Sequence, residues 1–160
     1  RWWSSAASDV YKRQGIDGVL IVDSPPEESV TLNKYLKKYN KSHIYLASPT
    51  TTDQRMKNIS RMSSGYVYYV TIKGITGSKL SNVSSIRKNV NKIKNYSDHN
   101  LPVAVGFGIK DSSSAQKMAA FSDGIIIGSS IVELIHKYSN NKKKMNSKLS
   151  SYISSISNVI

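Results

Sequence analysis

Five short apolar runs rich in β-branched residues recur along the chain, at residues 19–22, 44–47, 66–70, 103–105 and 125–127. Between them lie longer polar stretches in which apolar residues return at three- and four-residue steps. Parallel strands can be joined only by a long crossover, usually a helix, so this alternation predicts an α/β fold of βα units around a parallel sheet. Each run is followed by turn chemistry, in order DSPPEES, SPTTTD, TIKGITG, GFGIKDSSS and GSS. The C-terminal ends of parallel strands are where α/β proteins hold their ligands, so these five turns are where function is sought.

The intervening helices are legible from their spacing. Residues 29–38 set Val30, Leu32 and Leu36 beside Tyr35 and Tyr39, as a half-buried helix would. Asp53 is expected to cap a second helix carrying Met56, Ile59 and Met62. Val83, Ile86, Val90 and Ile93 mark a third, and Asp111 or one of Ser112, Ser113 and Ser114 caps a fourth that reaches Ala120. Residues 131–135 open the last one after a Gly-Ser turn. From Ser139 the chain is rich in Ser, Asn and Lys, and its spaced Leu149, Ile153 and Ile156 predict either one more helix or a fraying end.

With 160 residues there is room for one domain with a core and not for two. The first fourteen residues, RWWSSAASDVYKRQ, differ in composition from the rest of the chain and carry both tryptophans. They resemble translated adapter sequence, so residues 1–14 are read as non-native and residues 15–160 as the domain. Cysteine is absent, which removes disulfides and thiolate chemistry and fits a cytoplasmic setting. No apolar run approaches the roughly 20 residues of a membrane span. The formal charge of +13 raises the possibility of nucleic-acid binding, but the basic residues are scattered singly. The single dense run is Lys142, Lys143 and Lys144, which reads as a solvated face. The histidines His43, His99 and His136 show no metal-ligand spacing and are expected at the surface or strand edges.

Two turns carry the strongest chemical signal. Gly106-Phe107-Gly108 and Gly128-Ser129-Ser130 each follow a strand directly and lead into a helix. Glycine lets backbone N–H groups approach an anion closely, and a helix N-terminus favours negative charge. Two consecutive strand ends of this kind suit a sugar phosphate; the alternative is that the glycines only permit tight turns. A third segment, Lys73 to Ser78, has the small residues of a loop that closes over a substrate, with Gly74 and Gly77 as hinges and Thr76 offering a hydroxyl. From spacing alone it reads equally as an exposed connection.

GIDGVLIVDSPPEES, GYVYYVTIKGITG, VAVGFGIK and GIIIGSSIV, in this order, resemble consecutive segments of the tryptophan synthase alpha chain family, from Gly15 to about Lys137. Related phosphate-binding barrels, such as indole-glycerol-phosphate synthases and thiamine-phosphate synthases, share the GFGI-like and GS turns. They do not share DSPPEES followed by YYVTIKGITG. The resemblance implies a (β/α)8 TIM barrel, here truncated to about strands four to eight, with residues 138–160 as a tail or helix. It implies retro-aldol cleavage of indole-3-glycerol phosphate to indole and glyceraldehyde 3-phosphate. The partner implied is a beta chain in an alpha2beta2 assembly, with pyridoxal phosphate held by the beta chain and no cofactor or metal in this one.

By motif, the resemblance implies that Gly77, Gly106, Gly108, Gly128 and Ser129 bind the substrate phosphate. Tyr68 would line the active site and Thr76 would orient the catalytic carboxylate. Phe107 would pack on the indole, with Leu20, Val22 and Leu46 completing its apolar wall, and residues 23–29 would face the beta chain. The family's general acid–base Glu and its indole-pairing Asp lie upstream of every matched segment, and none of the nine acidic residues after Gly15 falls in an equivalent motif. Asp23 stands at a strand end, where a loop-capping role is the expected one.

Overall fold

The computed structural model describes residues 15–71, 83–98, 100–106 and 108–160. The five apolar runs become five strands: β1 (Gly18–Leu20), β2 (Ser42–Ala47), β3 (Val67–Val70), β4 (Val103–Gly106) and β5 (Gly124–Ile126). They form one parallel sheet in the order β1-β2-β3-β4-β5, so every strand lies beside its sequence neighbour. Helices α1 (Val30–Lys38), α2 (Asp53–Met62), α3 (Val83–Tyr96), α4 (Ser112–Ala119), α5 (Ser129–Lys137) and α6 (Lys142–Ser157) complete the described elements, with a 3-10 turn at Pro26–Glu28.

Most of the core lies on one face of this sheet, Ile44 of β2 being buried on the other. His43, Tyr45 and Ala47 of β2, Val67 and Tyr69 of β3, and Val103 and Val105 of β4 are buried at every second position, as the strand repeat requires. Met56 and Ile59 of α2, Ile86, Val90 and Ile93 of α3, and Ala115 and Met118 of α4 are buried in the same core. Each large apolar side chain removed from water contributes about 1.5–3 kcal/mol. The alternate strand residues form the opposite face. Register places Leu46, Tyr68, Ala104 and Gly124 in one row across it, and Val70, Gly106 and Ile126 in the next.

Several boundaries differ from the sequence expectation for local reasons. The first strand ends at Leu20, not Val22, because the chain turns at Ile21, whose carbonyl accepts from the N–H of Ser24. The second helix is capped by Thr52, whose hydroxyl accepts from the N–H of Arg55; Asp53 is instead the first helical residue and pairs with Lys92 of α3 at 2.7 Å. Asp111 caps α4 through a reciprocal bond with Ser114. The last strand is Gly124–Ile126 because Asp123 pins its start: its N–H donates to the Val103 carbonyl and its carboxylate accepts from the Val103 N–H at 2.8 Å.

His43 is not a surface residue but 1% exposed. It sits at 2.7 Å from the Asn33 Oδ1 of α1, and Asn33 in turn donates to the Tyr45 hydroxyl at 3.0 Å. The tail after Ser139 is ordered as α6, capped by the Asn141 side chain at Lys144 N–H. It is tied down by Ile156, which is 5% exposed, and by the Tyr152 hydroxyl on the Lys110 carbonyl.

Candidate functional site

All five strands point the same way, so their C-terminal ends and the following turns share one edge of the sheet. At that edge β4 and β5 are adjacent, with Gly106 paired to Ile126. The strand ends that lead toward Gly108 and toward Gly128 and Ser129 are therefore neighbours. Gly108 has φ of +79° with open space where a Cβ would stand, a backbone state glycine adopts at no steric cost. Gly128 is the N-cap of α5, makes no side-chain cap and has no neighbour within 4 Å of a built Cβ. The first backbone N–H groups of a helix have no partner inside it, and those of α5 open on the same edge as Gly108. Acidic residues are absent from the first turn of α5, so nothing there repels an anion.

Gly106 is in a different situation. A Cβ on it would fall 2.5 Å from Cε2 and 2.6 Å from the hydroxyl of Tyr68, and 2.9 Å from Ile126 Cβ. The Tyr68 ring lies directly against the strand end, which only glycine allows. Burial raises the Tyr68 phenol above its ordinary value, and the neighbouring Tyr66 adds to the shift. On the far side of Gly106 the Thr71 N–H and hydroxyl both donate to its carbonyl, at 2.9 and 3.0 Å.

Of the residues singled out from the sequence, Leu46, Tyr68 and Gly106 come together on one sheet face, and Gly108, Gly128 and Ser129 lie at the adjoining strand ends. Leu20 ends β1 on the same face, two strands away from Tyr68, and is 36% exposed. Val22 stands beyond the strand at 71% exposure and is not brought against the others. Thr76, Gly77 and Phe107 lie outside the described residues, as does His99. Asp23 is exposed in the turn after β1, and Ser29, which closes that turn, is buried with its hydroxyl donating to the Pro25 carbonyl at 2.7 Å. Thr71 had no motif to mark it; the signal that could have found it is a hydroxyl residue placed immediately after a strand.

Two hollows open elsewhere. One of about 440 Å³ runs along Ser84, Arg87, Lys88, Asn91, Lys92 and Asn95 of α3. The other, of about 520 Å³, is apolar and lies between β5 and α6, lined by Ile125, Ile127, Tyr152, Ile153 and Ile156 among others. Neither includes the glycine turns. Among the described residues there is no group of three or more His, Cys, Asp or Glu side chains arranged to hold a metal ion. No helix among them is long and apolar enough to cross a membrane.

Comparison with known proteins gives the family of the chain. The family described as tryptophan synthase alpha chain matches residues 6–160, a span that reaches into the first fourteen residues. The tryptophan synthase alpha chain of Vesicomyosocius okutanii is 37% identical over 158 residues, covering 99% of this chain and 57% of the relative. That of Paraburkholderia phytofirmans is 42% identical over 137 residues, covering 86% of this chain and 50% of the relative. This chain thus spans about half the length of the curated relatives it matches. Among solved structures, the tryptophan synthase alpha subunit of Campylobacter jejuni superposes with a TM-score of 0.80 at 29% identity, over 94% of this chain and 58% of that one. The subunit from Legionella pneumophila gives 0.73 at 32% identity, over 96% and 58%. With a matched family span that takes in every described element, the chain belongs to the tryptophan synthase alpha chain family.

Proposed function

We propose that these residues form the phosphate-binding half of an indole-3-glycerol-phosphate lyase, with β1 to β5 standing as strands four to eight of a (β/α)8 barrel and residues 15–160 as one partial domain. A strictly sequential parallel order supports the barrel reading, since doubly wound open sheets reverse their order at a switch point. So does a core concentrated on one sheet face, with apolar Leu46, Tyr68, Val70 and Ile126 partly exposed on the other beside buried Ile44. The observation that carries the function is the pair of adjacent glycine turns at the C-terminal edge, where loops seven and eight of such barrels hold a phosphate.

In this reading Gly106, Gly108, Gly128 and Ser129, with Gly77, give backbone donors to the phosphate of indole-3-glycerol phosphate. Tyr68 lines the pocket, Leu46 and Leu20 with Phe107 form its apolar wall, and Thr76 orients a carboxylate supplied from upstream. The chain itself needs no cofactor. Residues 23–29 face a beta chain, and pyridoxal phosphate belongs to that partner.

Proton delivery to the indole ring and removal from the glycerol hydroxyl require two carboxylates in the same pocket, each worth about 10²–10⁴ in rate. Residues 15–160 hold no counterpart of them at a strand end other than exposed Asp23. The 160-residue chain assayed alone is expected to release no indole from indole-3-glycerol phosphate above a buffer control. Joined to the upstream half of a relative that carries the Glu and Asp, it is expected to release indole. Release by the chain alone, abolished in Thr76→Ala, would show that the missing carboxylates are not needed.

A further inference from the structure

Helices α1 and α2 both pack on β2, but they are held there differently. Helix α2 buries Met56, Ile59 and Ser60, whereas α1 buries no side chain completely: Leu32 and Leu36 are half-buried, and Val30 and Tyr35 are exposed. What α1 does place against β2 is the amide of Asn33. Its Oδ1 lies 2.7 Å from His43 Nδ1, and its Nδ2 donates to the Tyr45 hydroxyl at 3.0 Å, so one side chain holds two strand residues. The His43 and Tyr45 rings lie against each other, their centroids 4.0 Å apart.

This attachment depends on charge. With its proton on Nδ1, neutral His43 donates to Asn33 and leaves Nε2 an acceptor, buried with no hydrogen-bond partner. A second proton would make Nε2 a charged donor in the same place, and a buried cation without a partner is costly. Burial lowers the His43 pKa, and no neighbouring charge contributes. On α1, Lys34, Lys37 and Lys38 are exposed; on α2, Asp53, Arg55 and Arg61 are exposed and Lys57 is half-buried. Strand β1 has no titratable side chain, and those of β3 are Tyr68 and Tyr69.

We propose that His43 and Asn33 form a proton-released latch: protonation of the imidazole lets α1 lift from β2 while the sheet and helices α2 to α4 stay packed. Helix α1 yields rather than α2 because it has less apolar burial to lose. In the opened state the imidazole meets water and titrates at its ordinary 6.5, whereas the closed state holds it lower. Opening is therefore independent of pH well above 6.5. Below that value it becomes easier by about tenfold per pH unit, until the closed-state pKa is reached.

The test is hydrogen–deuterium exchange of the 160-residue chain at pH 7.5 and 5.5, read by mass spectrometry on peptides covering residues 30–38 and 83–96, with intrinsic exchange rates divided out. Wild-type α1 is expected to lose about 10-fold in protection between the two pH values. At both it should be less protected than α3, and its exchange less sensitive to urea. His43→Gln, whose neutral amide does not titrate, is expected to change by less than about twofold over α1. Asn33→Ala is expected to lower α1 protection about 5- to 10-fold already at pH 7.5, the scale of one buried hydrogen bond. Equal α1 protection at both pH values in wild type overturns the latch, as does an equal loss in His43→Gln or unchanged α1 protection in Asn33→Ala. Matching protection and urea dependence in α1 and α3 also overturns it, because His43 would then titrate only when the whole chain unfolds. That comparison needs wild type alone, so it decides the matter even where a variant does not fold.

Discussion

At the scale of single residues, Gly106 and His43 show how differently a side chain's surroundings can constrain it. Gly106 is conspicuous as sequence, because a Gly-x-Gly after a strand suggests an anion turn. Its neighbours add a second requirement, since the Tyr68 ring occupies the place of any Cβ. His43 is the reverse case, inconspicuous in sequence and buried in the structure. Its Nδ1 meets Asn33 Oδ1, an acceptor, so this nitrogen carries the proton, and its Nε2 is buried with no hydrogen-bond partner. Burial lowers its pKa below the ordinary 6.5. Below that value the unfolded chain takes up a proton that the folded chain refuses. Stability from this residue is therefore full above pH 6.5 and lost as pH falls toward the depressed folded pKa. Urea unfolding at a series of pH values is expected to show this slope in wild type and a shallower one in His43→Gln; parallel slopes would contradict it.

At the scale of elements, the helices divide by how they are held. Helices α2, α3 and α4 bury apolar side chains against the sheet, whereas α1 and α5 bury none completely. Helix α1 is linked to β2 through Asn33, a polar contact that the apolar spacing of its sequence did not announce. The Ser-, Asn- and Lys-rich content of the last segment left open either a helix or a fraying end; it is helix α6, and it packs on both α4 and α5. Ser112 donates to the Ser155 carbonyl at 2.9 Å, and Ile156 reaches the core. Replacing Ile156 with Ala is expected to cost about 2–4 kcal/mol in urea unfolding, from lost burial and the cavity left behind. A change under about 0.5 kcal/mol would return α6 to the status of a fraying tail.

At the scale of the whole molecule, the sheet ends in two edges. Among the described residues no strand pairs with the outer side of β1 or of β5. Exposed apolar residues lie near both: Leu20, Val22, Val30 and Tyr35 on one flank, and Val132, Ile135, Ile153 and Ile160 on the other. Unpaired edges beside apolar surface template association. The purified 160-residue chain is expected to self-associate, with sedimentation velocity showing mass that rises with concentration. A monomer at every concentration with a cooperative thermal transition would contradict this. The net charge of +13 opposes association at low salt, so the effect should strengthen as salt screens it.

The sequence by itself determined the α/β class, the five strands, most of the helices and the two glycine turns. Those features depend on local periodicity and on conformations that glycine alone adopts easily, and both are written in consecutive residues. Tertiary structure decided what depends on contacts between distant residues. It put Thr52 rather than Asp53 at the cap, buried His43 beside Asn33, anchored α6 through Ile156, and left Val22 outside the face that holds Tyr68. It also brought Thr71 to Gly106 across 35 residues of chain. No pattern within either segment encodes that meeting; it follows from the register of two neighbouring strands.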